Sequence, residues 1–235
     1  MKRTFITFGS HEHYVDAGAR LLEQAKTLGL FDECILYTPT HLQADVDFWS
    51  AHHAFIRANA RLYGYGLWKP FLIKRTMETL HDGDVLLYLD CGCELDITRK
   101  RDLEACIEVV KEDSLVGTYA AGCPERDWNK MDLIEKLGMN SDVHLNTEQR
   151  QSGAMLFLVC DKTRRFVDEW FRLGCEYHNI DDTPSQLGNF WCFREHRHDQ
   201  STYSLLTKKW CLYSERCTLD SAIHYIRNRT GVSHI

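Results

Sequence analysis

Asp82-Gly83-Asp84-Val85-Leu86-Leu87-Tyr88-Leu89-Asp90-Cys91-Gly92-Cys93-Glu94 is the stretch around which the chain organises itself. A turn (Asp82-Gly83-Asp84) launches an uninterrupted apolar run, Val85 to Leu89, which stops on an acid, Asp90. A short apolar run bounded by turn residues reads as a buried strand. A carboxylate at the carboxyl end of such a strand stands where open α/β sheets bind ligands.

Working outward, the same alternation recurs. Thr4-Phe5-Ile6-Thr7-Phe8 is a short aromatic and β-branched strand halted by Gly9-Ser10. Val15, Ala19, Leu22, Ala25 and Leu28 recur at helical spacing and Gly29 closes the pattern. Cys34 to Tyr37 is a second strand ended by Thr38-Pro39. A helical region carrying Phe48, Phe55 and Leu62 ends in Tyr63-Gly64-Tyr65-Gly66, and a further helix runs from Lys69 to Leu80. Beyond the central strand, Leu103, Cys106, Ile107 and Val110 mark a helix face, Leu115 to Tyr119 a strand, and Met155 to Val159 another. Phe166, Val167, Trp170, Phe171 and Tyr177 then mark the following helix. Strands alternating with helices predict an α/β fold with a mostly parallel central sheet flanked by helices. The polar region Gly122 to Arg150 breaks the rhythm and reads as a lid or acceptor-side insertion with one short helix at Asp132 to Leu137.

At 235 residues the chain fits one domain, and 44% hydrophobic with 26% charged residues is a globular composition. The net charge of −6 leaves no broad basic field for nucleic acid. No apolar run approaches the roughly 18 residues of a membrane span, and no signal segment is seen, so a soluble, cytoplasmic protein is expected. The ten cysteines include no Cys-x-x-Cys pair and are expected to be reduced. His11-x-His13, His52-His53 and His196-x-His198 lack the spacing of a zinc-binding helix. Arg194, Arg197 and the run Lys208-Lys209 read as a solvated face, with an acceptor-side charge patch as the alternative.

Asp90, with Gly92 and Glu94 beside it, is a candidate site for a hard divalent cation, which takes carboxylate and phosphate oxygens. Gly64-Tyr65-Gly66-Leu67-Trp68-Lys69-Pro70 followed by the Asp90 strand resembles the nucleotide-sugar-dependent glycosyltransferases of GT-A fold, of the small viral and bacterial surface-glycan type. Two later landmarks fall in the same order. Gln151-Ser152-Gly153-Ala154-Met155 is similar to the strand lining the donor-sugar pocket, and His198-Asp199-Gln200-Ser201 to the Asp-Gln motif near the reaction centre.

The resemblance implies a single GT-A-like domain over residues 1–235, with a donor-binding half at about 1–120 and an acceptor-side half at about 121–235. It implies transfer from a nucleoside-diphosphate sugar, a UDP-sugar first among them, to a hydroxyl of a glycan or other acceptor, with Mn²⁺ or Mg²⁺. Asp90 and His224 would hold the metal, Gly92 standing where the motif's second carboxylate is expected. Thr7, Phe8, Gly9 and Tyr14 would meet the base, Lys69 the diphosphate, and Gln151, Ser152 and Gln200 the donor sugar. Asp199 would be the catalytic carboxylate, as general base or as stabiliser of the anomeric centre, while a simple helix cap is its alternative. Two other readings fit the residues: a metal-dependent hydrolase using Asp90, Asp199 and histidines, and a non-catalytic nucleotide- or glycan-binding domain.

Overall fold

The alternating side chains of the central strand divide the core in two. A computed structural model describes residues 1–235. In β3 (Val85–Leu89) Leu86 and Tyr88 point into one apolar cluster, and Val85, Leu87 and Leu89 into another. That is the period-two alternation of a strand buried on both faces. β1 (Arg3–Phe8) does the same, with Ile6 and Phe8 on the first face and Phe5 on the second.

After β1 come α1 (Glu12–Leu28), β2 (Glu33–Tyr37), α2 (Pro39–Ala44), α3 (Val46–Ala58), the short turn α4 (Leu62–Tyr65) and α5 (Trp68–Glu78), which leads into β3. Then follow α6 (Lys100–Asp113), β4 (Leu115–Pro124), α7 (Glu125–Trp128), α8 (Met131–Leu137), α9 (Asp142–Leu145) and β5 (Glu148–Leu158). The chain continues through α10 (Asp161–Cys175) and α11 (Asp199–Lys209). Side chains of α5, α10 and α11 join the first cluster; those of α1 and α6 join the second. The result is a mixed α/β fold with a single sheet, and no helix is long and apolar enough to cross a membrane.

The sheet order is β2-β1-β3-β5-β4. β1 pairs in parallel with both β2 and β3, whereas β5 runs antiparallel to both β3 and β4. Four strands thus share a direction and β5 opposes them. β1 lies between its two successors, so the connection reverses there, and the carboxyl ends of β1 and β3 open a crevice at that switch point. Because β5 is reversed, its early residues meet the end of β3. Leu89 sits opposite Ala154, and Asp90 N–H donates to Gly153 O at 2.8 Å.

Two sequence expectations are corrected. Gly122 to Arg150 carries the expected short helix, as α8, but it is no lid: α7–α9 pack inward, with Leu133, Ile134, Leu137 and Leu145 buried. The burying positions are adjacent or four apart within very short helices, so the segment's polarity hides them. Lys209 is exposed as expected, but the Lys208 side chain is buried in an ion pair with Glu125 at 2.5 Å. The ten cysteines are free thiols, and Cys106 and Cys217 bring their sulfurs to 2.9 Å.

Candidate active site

The segment between α3 and α5 has an unusual backbone. Leu62, Tyr63, Gly64, Tyr65 and Gly66 all have positive φ, between 50° and 82°. Three of them are not glycine, and left-handed bulky residues cost energy that surrounding contacts must hold in place. Trp68 Nε1 does so by donating to Leu62 O at 2.9 Å. At Gly66, φ +79°, an added Cβ would lie 2.6 Å from the Asp199 carboxylate, so glycine is needed for this close approach. The turn delivers Lys69 into the first turn of α5, buried at 5% exposure.

Lys69 Nζ lies 3.1 Å from Asp90 Oδ1 and 3.0 Å from Asp199 Oδ2. Ser152 Oγ donates to Asp199 Oδ2 at 2.7 Å, and Tyr88 OH donates to Asp90 Oδ1 at 2.6 Å. Burial pulls the Lys69 ammonium down, but the charges of Asp199 and then Asp90 outweigh it and hold it above its ordinary range. One cation therefore bridges two carboxylates from different elements. No protein group donates to Asp90 Oδ2 or Asp199 Oδ1.

These groups line a cavity of about 480 Å³ at the switch point. Phe8 and Trp68 form one wall, their rings stacked at 3.9 Å, and Tyr14 and Tyr63 stand beside them. Arg61 closes the rim through Asp182 and Glu195, at 3.3 and 3.2 Å. Arg197 lies over the Trp128 ring at 3.9 Å. His198, the residue before α11, has φ +57° and its Nδ1 is 2.8 Å from Ile180 O; burial lowers its pKa, favouring the neutral ring.

Of the residues singled out in the sequence, Phe8, Tyr14, Lys69, Asp90, Gly92, Ser152, Asp199 and Gln200 line this cavity. Asp199 opens α11, yet its carboxylate caps nothing: it accepts from Ser152 and Lys69 instead. Gly9 shapes the turn into α1, its N–H donating to Tyr37 O at 3.0 Å. Thr7 points to the opposite face of β1, buried, with an unpartnered hydroxyl. Gln151 alternates away from Ser152 and hydrogen-bonds Tyr119 O at 3.0 Å. The structure does not bring His224 to Asp90. Its Nε2 lies 3.5 Å from Asp96 Oδ2, and its backbone pairs with Glu94. Tyr225, Arg227 and Arg229 line the cavity and were not singled out; they follow His224 in an irregular segment without periodicity.

The residues present do not fit a divalent ion held by the protein. Asp90 commits Oδ1 to Lys69 and Tyr88, Gly92 supplies no ligand, His224 is elsewhere, and Glu94 is fully enclosed in a pair with Arg20. Cys91 offers only a soft thiol, whereas hard ions such as Mg²⁺ and Mn²⁺ take oxygen ligands. No group of three histidine, cysteine or carboxylate ligands forms anywhere in the chain.

No family model matches the chain, and no curated protein does. Among solved structures it is similar to mouse xyloside xylosyltransferase 1, at 12% identity over 91% of this chain and 84% of that one, TM-score 0.47. It is also similar to the galactosyltransferase LgtC in complex with donor and acceptor sugar analogues, at 14% identity over 86% and 70%, TM-score 0.41. A third is a mannose-6-phosphate isomerase from Helicobacter pylori, at 11% identity over 100% and 95%, TM-score 0.40. Two of these three structures are thus glycosyltransferases. At such scores none of them assigns a residue or a reaction to this chain.

Proposed function

We propose that the protein is a glycosyltransferase of GT-A type that moves a sugar from a nucleoside-diphosphate donor to a hydroxyl of a glycan or other acceptor. The observation that carries the reading is the Asp90–Lys69–Asp199–Ser152 cluster, opening into an aromatic-walled cavity at the carboxyl ends of β1 and β3. Phe8, Trp68 and Tyr14 offer ring faces to a base. Asp90 Oδ2 offers an acceptor to a donor hydroxyl. Asp199 Oδ1 is the oxygen presented to the reaction, while Lys69 and Ser152 hold the other, Oδ2. In an inverting transfer the acceptor oxygen attacks the anomeric carbon and the bond to the diphosphate breaks. The diphosphate leaves with the electron pair, and Asp199 takes the hydroxyl proton. In a retaining one Asp199 stabilises the positive anomeric centre.

In this reading residues 1–120 supply the base-binding wall. The acceptor enters beside Arg61, Glu195 and Arg197, of which the last two lie in the half 121–235. Ser152 and Asp199 reach the donor side from that second half.

The test is a thermal-shift screen against UDP-, GDP-, ADP- and TDP-sugars, UDP-sugars first, each in EDTA and in Mn²⁺, followed by assay of nucleotide release with glycan acceptors. A ligand bound only by the folded state raises the apparent stability. The expected result is a shift with one nucleotide class and acceptor-dependent release of its diphosphate. Release without any acceptor would favour the hydrolase reading, and binding without turnover the non-catalytic one.

A further inference from the structure

The turn that carries Asp90 is clasped from behind by residues 222–235. Glu94 is the clasp. Fully buried, it accepts from Arg20 Nη1 at 2.7 Å, Gln24 Nε2 at 3.2 Å, Ser233 Oγ at 2.8 Å and the His234 N–H at 3.1 Å, and also from Asn228 Nδ2. Arg20 Nη2 in turn donates to Cys91 O at 2.8 Å and Cys93 O at 3.0 Å, so turn and arm are tied to one guanidinium. The backbone completes the fit. Glu94 and His224 exchange N–H···O bonds at 2.9 Å, and the Asn228 N–H donates to Gly92 O at 2.8 Å.

This packing explains Gly92. A Cβ there would meet Arg227 Cα at 3.2 Å and the Arg227 carbonyl carbon at 3.4 Å, so a carboxylate side chain and the arm compete for the same space. What the arm delivers is positive charge. Arg227, held at φ +55°, and Arg229, 5.7 Å from the Tyr14 ring, both line the cavity. Neither makes an ion pair or hydrogen bond with the protein, whereas Arg61 and Arg197 in the same cavity are already paired with carboxylates. With Asn228 pinned between them, the two guanidiniums are placed by the clasp.

We propose that Arg227 and Arg229, with Lys69, form the binding site for the donor's diphosphate, so that the chain's own cations replace a divalent ion in binding and in stabilising the departing group. The proposal rests on the transferase reading. A guanidinium pairs bidentately with phosphate oxygens and keeps its charge at any working pH. When the sugar–oxygen bond breaks, the electron pair stays on the diphosphate, and the added negative charge falls beside groups already in place.

The experiment is calorimetric titration of the full chain with UDP, GDP, ADP, the matching nucleosides and inorganic pyrophosphate, in EDTA and in Mn²⁺. Three variants accompany it. Arg227→Gly removes the charge at a backbone position that glycine adopts freely, so the arm stays seated. Arg229→Ala removes the second charge. Arg216→Ala, an exposed arginine paired with Glu112 and Asp113 outside the cavity, is the control. We expect the preferred nucleotide to bind in EDTA within about threefold of its affinity in Mn²⁺. Each of the two arginine variants should weaken it by about tenfold or more, as loss of a charge-assisted contact does. The nucleoside should be unaffected by either, Arg216→Ala should bind normally, and added salt should weaken the diphosphate more than the nucleoside. Binding that requires Mn²⁺, or that ignores both variants, overturns the proposal and leaves the transferase reading standing. Absence of any nucleotide or nucleoside binding in both buffers overturns both.

Discussion

Asp90 and Glu94 are carboxylates four residues apart on one turn, each paired with a cation from a helix, yet they have opposite fates. Glu94 is completely enclosed: both oxygens are occupied, and its acidity follows. Burial raises its pKa, but the hydrogen bonds from Asn228, Ser233, His234 and Gln24 prevail and hold it at about 2. Asp90 keeps 40% of its side chain exposed and one oxygen without a donor, and its cation is shared with a second carboxylate, Asp199. The difference separates architecture from chemistry. A carboxylate with every lone pair satisfied holds the chain together, and one with an open oxygen over a cavity has an interaction to offer.

The comparison is broken most sharply at Asp199. Asp199→Asn should lower sugar-transfer turnover by about 10²- to 10⁴-fold, with nucleotide affinity and melting temperature nearly unchanged. Normal turnover in steady-state assays would return that residue to a structural role. At the enclosed carboxylate the loss should appear as stability instead. Glu94→Gln strands Arg20 in the interior, and breaking such a pair typically costs about 3–5 kcal/mol, readable from the denaturant midpoint. A loss below about 1 kcal/mol would class the pair with ordinary surface ion pairs.

Acid sharpens the same point. Since the folded pKa of Glu94 lies below its ordinary 4.5, its contribution is complete above that value and disappears as pH falls toward about 2. The melting temperatures of the parent and Glu94→Gln should therefore converge across that window; a gap that stays constant would mean another group sets the acid sensitivity. The smallest effects belong to residues the fold turns away. Thr7→Val should leave nucleotide affinity within about twofold and be neutral or stabilising by up to about 1 kcal/mol, since it removes a buried unpaired hydroxyl. His224→Ala should likewise spare binding. A tenfold change in calorimetric affinity from either variant would put that residue back in the site.

The carboxyl ends of β1 and β3 were legible because apolar runs and turn residues mark them at Phe8 and Asp90, whereas Ser152 was reached through the family resemblance and lies inside β5, which begins at Glu148 rather than Met155. The direction of β5 was not legible. Alternation looks the same read either way along a strand, so nothing local says that Ser152 enters beside Asp90. The bridging role of Lys69 was hidden for a related reason. A lysine at a helix start reads as solvated until the two carboxylates on either side of it are known. Residues 222–235 gave the least. They have no periodic pattern, so the histidine of that segment drew attention while its neighbours Arg227 and Arg229 line the cavity. Gly92 was read as a missing ligand, and the backbone of Arg227 shows what its lack of a side chain admits.

The reversed strand has a consequence for how the protein is made. β1 pairs with both β2 and β3 within the first 89 residues, but β5 joins β3 across a separation of more than fifty residues, and α11 packs on β5 later still. Contacts that close long loops form late. The cavity should therefore be absent from the folding transition state, and a bound nucleotide should slow unfolding while leaving the refolding rate unchanged. Stopped-flow refolding with and without the ligand measures this, and an accelerated refolding limb would show that the two ends of the chain meet early.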